Sequence, residues 1–208
     1  MKIVKANAFI ESTITQKEAM DIIERAGRTC YKSENKIAEG SAEDFIRNII
    51  KRGHETVIEH VSITARVICD RGVTHEIVRH RLASYSQEST RYCNYSSDKF
   101  GNEITVIKPC FWEETDPKYV TWMSAMQVAG RAYFDLLNAG ATPQEARSVL
   151  PNSLKTEIVM TMNFREWRHF FKLRCSSAAH PQMREVANIL LNEFKEKYPL
   201  FVEDLEIK

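Results

Sequence analysis

The residues best suited to chemistry are concentrated between Arg52 and Asp98. This segment contains no lysine, yet it carries six arginines and four histidines. A guanidinium group forms two parallel hydrogen bonds with a phosphate or a carboxylate, which a lysine ammonium group does not do. The pattern therefore favours recognition of an anion. Surface ion pairs with neighbouring acidic side chains are the alternative interpretation.

The tripeptide Arg79-His80-Arg81 is the densest part of this segment. Two guanidinium groups beside an imidazole oppose its protonation, so we expect His80 to be neutral near pH 7. The residues that follow, up to Arg91, are rich in serine and also supply amide and phenol groups. This composition suits a nucleotide. An exposed helix end, with its cations near the C-terminal dipole, is the alternative.

Neither a metal centre nor a covalent nucleophile is favoured. His54 and His60 lie six positions apart, whereas the H-E-x-x-H pattern of zinc sites needs four. Ser89 is not part of a G-x-S-x-G elbow, so we interpret it as a hydroxyl donor to a substrate. Arg174 could lower the pKa of the neighbouring Cys175 thiol, but we favour a packing role for this cysteine.

Helices are predicted to dominate over a few strands. Strands are predicted at Lys2 to Phe9, Val61 to Val67 and Thr156 to Met162, and helices after Thr15, after Ser41 up to Gly53, from Asp116 to Gly140, from Thr142 to Pro151, after Asn163 and from Pro181. The predicted helix caps are Thr15-x-x-Glu18, Asp116-Pro117 and Asn163-x-x-Glu166. Because strands and helices do not alternate regularly, a doubly wound parallel sheet is disfavoured. We predict an α+β fold, a helix-rich single domain with a small, largely antiparallel sheet.

The composition restricts the class of protein. Of the 208 residues, 43% are hydrophobic and 27% charged, which predicts one globular domain over residues 1–208. A formal net charge of +1 disfavours nonspecific binding of nucleic acid. Five scattered cysteines and the lack of a long apolar run predict a cytoplasmic protein without disulfides or a membrane span. Seven glycines form no G-x-G-x-x-G or Walker loop, so side chains would have to bind any phosphate.

Five blocks of the sequence form a pattern: Arg79-His80-Arg81 with Ser89 and Arg91 after it, Gly53-His54-Glu55-Thr56 with Glu59-His60, Arg147 before Leu150-Pro151, Asn163-x-Arg165, and Leu173-Arg174. Together they resemble the family of flavin-dependent thymidylate synthases. The blocks follow one another in compatible order and spacing across most of the chain. The resemblance implies a fold special to this family and a homotetramer whose sites lie where subunits meet.

The resemblance also implies a reaction. dUMP would be methylated at C5 to give dTMP, with methylenetetrahydrofolate as the carbon donor and FAD relaying hydride from NADPH. dUMP and the folate would be small-molecule substrates, and neither nucleic acid nor a membrane would be a partner. A metal ion is not part of this expectation.

Site residues follow from the resemblance by position. Those that would face the flavin are His54, Thr56, Glu59, Arg79, His80, Arg81, Asn163, Arg165 and His169. Those that would bind dUMP are Glu76, Gln87, Glu88, Ser89, Arg91, Arg147 and Arg174. Arg174 would be catalytic, because a permanent cation at the uracil edge stabilises negative charge that develops in the ring. Ser89, Arg91 and Arg147 would hold the phosphate.

Other interpretations remain open from the sequence alone. His54 could be a helix-cap residue, and Arg165 could pair only with Glu166 or Glu157. A regulatory module could bind a nucleotide in the same arginine pocket without doing chemistry. An RNA-binding protein could stack bases on Tyr85, Tyr92 and Tyr95, although the net charge near zero speaks against it.

Overall fold

The computed structural model describes residues 1–206, whose contacts group into two compact units. The first unit comprises residues 1–7, 67–79 and 86–158, and the second comprises residues 8–66, 80–85 and the chain from residue 159 onward. No helix in this described part of the chain is long and apolar enough to cross a membrane. The prediction of one domain over the whole chain stays a prediction.

The strands belong to two sheets. In chain order they are β1 (Lys2–Val4), β2 (Asn7–Ile10), β3 (Ser62–Asp70), β4 (Ala83–Gln87), β5 (Thr105–Ile107) and β6 (Lys155–Asn163). β1 and β5 pair in parallel, and the larger sheet has the order β2-β3-β6-β4. Within the second unit, the Phe164 N–H donates to Val61 O at 3.2 Å. The hydroxyls of Thr64 and Thr161 lie 2.9 Å apart, so β3 and β6 run antiparallel.

Helices make up most of the regular structure. The α-helices are α1 (Gln16–Cys30), α2 (Ser41–Lys51), α3 (Arg71–Ile77), α4 (Pro117–Asn138), α5 (Pro143–Ala146), α6 (Phe164–Arg174), α7 (Pro181–Lys197) and α8 (Pro199–Val202). Short 3₁₀ turns cover Glu34–Lys36, Glu55–His60, Asp98–Phe100 and Arg147–Val149. The predicted helix-rich α+β class with a small antiparallel sheet is confirmed.

Local capping chemistry explains where the main helices begin and end. Thr15 accepts the Glu18 N–H, and the Glu18 carboxylate accepts the Thr15 N–H in return, so this capping box starts α1 as predicted. Asp116 accepts a backbone N–H at the start of α4, and Pro117 takes its first position. Gly53 follows α2 with φ of +70°, a left-handed conformation that glycine adopts without steric cost.

Some predicted boundaries are wrong. The single strand predicted from Lys2 to Phe9 is two strands, β1 and β2, because they pair with different partners, β5 and β3. The helix predicted from Pro181 is confirmed as α7, and the short helix α8 follows it. Helix α3, strand β4 and strand β5 were not predicted from the sequence.

The first unit has a core of its own. Buried residues of α4 pack with those of β5 and the loops around it, and the members of this core are Tyr95, Ile104, Val106, Met126, Tyr133, Ala146 and Leu154. The rings of Tyr95 and Tyr133 lie 5.7 Å apart. Trp122 keeps its polar atom satisfied by donating Nε1–H to the Ser153 hydroxyl at 3.0 Å.

Aromatic side chains of α6, α7 and α8 form the core of the second unit. Phe164 stacks on Phe201 with ring centroids 3.9 Å apart, and Trp167 lies 5.0 Å from Phe194. Trp167 is fully buried and donates its Nε1–H to the backbone oxygen of Ile63 at 3.0 Å, which fastens α6 to strand β3. Helix α6 is therefore held rigidly at its start.

Gly27 lets α1 and α2 approach closely. A Cβ at this position would come within 2.5 Å of the Phe45 ring, a distance that real Cβ atoms do not adopt. The close approach also brings the Arg28 guanidinium over the Phe45 ring, 4.6 Å from its centroid. Arg28 is paired at its other side with the buried carboxylate of Glu24 at 2.7 Å.

Candidate active site

Most of the residues predicted to bind dUMP belong to the first unit. They are Glu76, Gln87, Glu88, Ser89, Arg91 and Arg147. Glu76 lies in α3 and Arg147 begins a 3₁₀ turn, whereas the others come from the end of β4 and the loop after it. The remaining member of the predicted set, Arg174, is the last residue of α6 and belongs to the second unit.

Glu88 is held in place by its neighbours in the first unit. Lys155 Nζ donates to Glu88 Oε2 at 3.1 Å and to Glu157 Oε1 at 2.5 Å, and the Tyr95 hydroxyl donates to Glu88 Oε1 at 3.0 Å. Burial by itself lowers the pKa of Lys155, but Glu157 and Glu88 outweigh it and raise the pKa. Burial and then the charge of Glu88 raise the pKa of Tyr95, so its hydroxyl stays a donor. The Glu88 carboxylate is thus held in one position by two donors.

Gln87 directs its amide nitrogen toward the protein. The Nε2 atom donates to Thr74 Oγ1 at 3.2 Å and to Thr156 Oγ1 at 3.3 Å, and both threonines are buried. A ligand contact by Gln87 would therefore use its carbonyl oxygen.

Ser89, Arg91 and Arg147 lie close to one another in the contact network. The Arg91 backbone N–H donates to Ser89 Oγ at 3.3 Å, and Arg147 Nη1 donates to the Thr90 hydroxyl at 3.4 Å. The Arg91 guanidinium lies over the Tyr92 ring, 5.4 Å from its centroid. Both guanidinium groups belong to exposed residues, so Arg147 and the loop after β4 can together present two forks and a hydroxyl to an anion.

The residues predicted to face the flavin belong to the second unit, with one exception. Arg79 belongs to the first unit, as the last residue of its segment 67–79. Most of them are exposed, and these are His54, Thr56, Glu59, Arg79, Arg81, Arg165 and His169. Asn163 is half-buried, and His80 is only 4% exposed. The arginines on either side of His80 thus face solvent while the imidazole points into the protein.

Both ring nitrogens of His80 have partners in the second unit. His80 Nδ1 lies 2.9 Å from Glu166 Oε1, and Arg174 Nε donates to His80 Nε2 at 3.1 Å. An arginine can only donate, so Nε2 must carry a lone pair. The proton of the neutral ring is therefore on Nδ1 and is donated to Glu166. His80 links a buried carboxylate to the guanidinium of Arg174.

The surroundings of His80 favour its neutral form, as the sequence predicts. Burial lowers the pKa of His80, the positive charge of Arg174 adds to the effect, and the hydrogen bond with Glu166 opposes it. The Tyr85 hydroxyl donates to the backbone oxygen of His80 at 2.6 Å. Burial raises the pKa of Tyr85 to about 12, so this donor stays protonated.

His80, Glu166 and His169 bring three possible metal-ligand atoms within 4.8 Å of one another. Imidazole binds a metal through an unprotonated nitrogen. In His80 one nitrogen is protonated toward Glu166 and the other accepts from Arg174. A cation there would displace a hydrogen bond and lie beside a guanidinium group, so the arrangement does not favour a metal.

Helix α6 begins with the predicted cap but uses its glutamate differently. Asn163 Oδ1 accepts the Glu166 backbone N–H at 2.9 Å, which caps the helix. In a capping box the Glu166 carboxylate would return to the Asn163 backbone. Here it contacts His80 instead. The cap places Glu166 on the first turn of α6, and Arg174 lies at the other end of the same helix.

Arg165 does not pair with Glu166 or Glu157, so that interpretation is wrong. Its Nη1 donates to Glu59 Oε1 at 2.6 Å, an exposed pair. The nearby His54 is the N-cap residue of the Glu55–His60 turn, but its side chain makes no capping hydrogen bond. The position of His54 therefore matches the helix-cap interpretation, but its imidazole does not act as a cap.

His54 also lines a cavity of about 650 Å³ in the second unit. The cavity has aromatic walls from Tyr31 and Phe45, and Lys36 and Arg52 supply cations. Arg28 and Asp44 contribute to the lining as well. Since Arg28 is already paired with Glu24, Lys36 and Arg52 are the cations that an anionic ligand would meet.

Three further residues matter here that the sequence analysis did not assign. Glu166 and Lys155 hold predicted site residues, as described above. Arg168 is fully buried, donates to both oxygens of Asp204 at 2.6 and 2.7 Å, and so supports α6 from within. Arg168 lies four residues after Phe164 and three before Phe171, so its spacing places it on the apolar face of α6, a signal that could have found it. Burial raises the pKa of Cys175 to about 12, which supports the packing role for this thiol.

Comparison with known proteins identifies the family. A sequence profile of the family described as "Thymidylate synthase complementing protein" matches residues 10–200. A flavin-dependent thymidylate synthase of Geobacter sulfurreducens is 36% identical over 86% of this chain and 78% of its own length. The chain belongs to the flavin-dependent thymidylate synthases. It is therefore an enzyme of a methyltransferase class, and the non-catalytic interpretations are not supported.

Other members of the family give the same result. The relative from Corynebacterium glutamicum is 33% identical over 97% of this chain and 85% of its own length, and that from Pyrococcus furiosus is 35% identical over 82% and 70%. A solved structure, described as a UMP/dUMP methylase from Streptomyces cacaoi bound with 5-Br dUMP, superposes with a TM-score of 0.78. It covers 98% of this chain at 22% identity, which supports the fold.

Proposed function

We propose that this flavin-dependent thymidylate synthase converts dUMP to dTMP with methylenetetrahydrofolate as the carbon donor, FAD as the bound cofactor and NADPH as the reductant. The methylene group forms the new bond to C5 of dUMP, and its two bonds to the folate nitrogens break. The C5 proton leaves, NADPH supplies the hydride that completes the methyl group, and the folate nitrogens take up two protons, equal in number to the C5 proton and one from solvent. Tetrahydrofolate and NADP⁺ are the other products. The names of the relatives support the nucleotide product and the flavin.

The orientation of Arg174 by His80 is the observation that carries this proposal. A half-buried guanidinium held by a neutral imidazole has a defined direction before any ligand binds. We assign it to the uracil edge, where a permanent positive charge stabilises electron density pushed toward the ring oxygens. Arg174 keeps this charge at any working pH because its proton is not lost.

Ser89, Arg91 and Arg147 are proposed to hold the dUMP phosphate. Two guanidinium forks and a hydroxyl provide the donors that a glycine-rich loop supplies in other nucleotide sites. Gln87 would offer its carbonyl oxygen, while Glu76 and Glu88 complete the proposed set. Lys155 and Tyr95 keep Glu88 in one position, so its carboxylate needs no reordering when the nucleotide binds.

The second unit fits a flavin dinucleotide. Phosphate groups need cations and a flavin needs flat apolar walls, and the cavity beside His54 offers Lys36 and Arg52 together with Tyr31 and Phe45. Other members of the predicted set would complete the contacts, and these are Thr56, Glu59, Arg79, Arg81, Asn163, Arg165 and His169. When bound, FAD supplies the redox chemistry that passes hydride from NADPH to the one-carbon unit.

The active form is proposed to be a homotetramer in the cytoplasm, with active sites where subunits meet. Each chain is proposed to form a single domain. Two features support this assembly. Most of the predicted flavin residues are exposed in the single chain, and the two groups of predicted site residues fall into different units. A ligand that binds only the assembled form stabilises it by mass action.

The decisive experiment is a spectrum followed by an assay. The purified protein should carry the visible absorbance of oxidised flavin, and with dUMP, methylenetetrahydrofolate and NADPH it should form dTMP. Omission of each substrate in turn is the control. A colourless protein that takes up no FAD and forms no dTMP would contradict the proposal.

A further inference from the structure

Glu166 is a buried carboxylate to which the proposed reaction has so far given no role. Its side chain is 9% exposed, its backbone N–H is used by the Asn163 cap, and its Oε1 atom accepts from His80 Nδ1. A carboxylate in such a place needs a donor, because burial of an unpaired charge is costly. His80 is that donor, and the pair lies at the start of the helix that ends at Arg174.

The hydrogen bonds among Glu166, His80 and Arg174 determine which nitrogen of His80 carries the proton. Glu166 can only accept when ionised, so the His80 proton lies on Nδ1. The opposite nitrogen then has a lone pair, which is what the Arg174 Nε–H requires. With the proton on Nε2 instead, two donors would face each other. The carboxylate therefore selects the imidazole tautomer that can hold the arginine.

Packing also restricts the imidazole. The His80 ring lies edge-to-face against Phe170 at 5.1 Å and against His169 at 5.6 Å, and the Tyr85 hydroxyl holds its backbone oxygen. The ring is thus limited in both position and rotation. What remains is the choice of tautomer, which depends on Glu166.

We propose that Glu166 is a positioning residue for Arg174: it holds His80 as the Nδ1-protonated tautomer, whose free Nε2 orients the guanidinium. This inference rests on the proposed role of Arg174 at the uracil ring. His80 would then act through Arg174 and not through a ring nitrogen of its own.

The test combines Glu166→Ala, Arg174→Ala and the double variant, assayed for dTMP formation at saturating dUMP with the flavin content of each protein measured. Glu166→Ala should lower kcat roughly 10- to 100-fold, the usual effect of losing a residue that orients another. Arg174→Ala should be slower still. The double variant should be no slower than Arg174→Ala, because Glu166 has nothing left to orient. Glu166→Gln, which keeps an oxygen acceptor, should recover much of the rate.

A matched control separates positioning from stability. Glu193 is a half-buried carboxylate on helix α7 of the second unit; it accepts the Ile10 N–H and pairs with Lys197. Glu193→Ala should reduce thermal stability as Glu166→Ala does, but its effect on kcat should be small. The effect of this control variant on kcat should also be the same whether position 174 carries Arg or Ala.

The tautomer can be observed without any turnover. The ¹⁵N spectrum of the His80 imidazole in the wild-type protein should show a protonated Nδ1 and an unprotonated Nε2 near pH 7.5. Protonated Nε2 would overturn the inference, as would equal losses from Glu166→Ala in both backgrounds or no loss in either. If the wild-type protein forms no dTMP at all, the proposed function fails, and the spectrum still decides the tautomer.

Discussion

The guanidinium of Arg165 donates to the carboxylate of Glu59 across 2.6 Å, which joins two residues predicted to face the flavin. Both are exposed, and solvent screening leaves an exposed pair of this kind with little effect on stability. Its two groups can therefore exchange partners at little cost when a ligand binds. The pair places a donor that can bind an anion beside an acceptor for ribose hydroxyls or ring N–H groups. Both residues belong to regular structure, Glu59 to the 3₁₀ turn Glu55–His60 and Arg165 to α6.

Arg174→Ala should remove dTMP formation and leave the flavin bound. The lost group acts on the uracil ring, and losing one such charge-stabilising contact costs ~10²–10³ in rate. Arg174→Lys should recover little, because an ammonium group cannot present the same planar fork. Flavin absorbance and NADPH oxidation serve as internal measures of a folded protein. Lys172→Ala, on the same helix, is the control, and unchanged dTMP formation by Arg174→Ala would reject the assignment.

Ser89→Ala should weaken dUMP binding and keep measurable activity. The Ser89 oxygen accepts the Arg91 N–H, which suits a binding hydroxyl and not an activated nucleophile. The dissociation constant for dUMP, measured by calorimetry, should rise. Ser97→Ala in the following loop should leave it unchanged. A serine-linked nucleotide detected by mass spectrometry in the wild-type protein would contradict this prediction.

Arg52→Ala should reduce the affinity for FAD. Hydrogen bonds to a charged group contribute ~1.5–3 kcal/mol, so we expect a loss of roughly tenfold or more. Arg47→Ala is a suitable control, since Arg47 lies on α2 and pairs with Glu43 and Glu203 outside the cavity. Fluorescence titration of the apoprotein with FAD measures both. Equal affinities of the two variants would mean that the cavity beside His54 does not hold the cofactor.

Acidification should destabilise the protein through His80. Its pKa is lowered in the folded state by burial and by Arg174, so the unfolded chain takes up the proton first as the pH falls. The free energy of unfolding should decrease from about pH 6.5 down to the folded pKa. The groups that face the ring are Glu166, His169 and Arg174, with Tyr85 at its backbone. Urea unfolding at several pH values and an NMR titration of His80 test this prediction. A pKa of His80 above the ordinary histidine value would contradict it.

Mixing two inactive variants should restore activity if sites are shared between chains. One chain would carry Ser89→Ala with Arg91→Ala, and the other Arg174→Ala. Exchange of subunits then creates some sites with all wild-type residues. Each variant mixed with itself is the control. A stable monomer that binds FAD fully and turns over at the normal rate would show that the assembly proposal is wrong.

Local chemistry explains which parts of the fold could be predicted. The box at Thr15 and the Asp116-Pro117 start of α4 are written in neighbouring residues, and both were found. Strand β4 was missed because it has no β-branched residue and no fully buried side chain, and its serines, Ser84 and Ser86, are equally typical of loops. Its pairing depends on β6, far away in the sequence.

In the candidate site, too, some residues could be identified from the local sequence and others depend on distant contacts. The arginines and Ser89 could be named from residue type and spacing, whereas Glu166 could not. Its position three residues after Asn163 matched a capping box, and its actual partner, His80, lies 86 positions away. Only tertiary structure distinguishes the two roles.

The missing side chain at Gly27 limits how this protein can vary. Because a Cβ there would overlap the Phe45 ring and the Val57 side chain, any larger residue must displace both and disturb the guanidinium of Arg28 above the ring. In a library of random substitutions, position 27 should accept no replacement without compensating smaller residues at positions 45 and 57. A change at position 27 would thus be inherited together with a change in Phe45, a wall of the cavity.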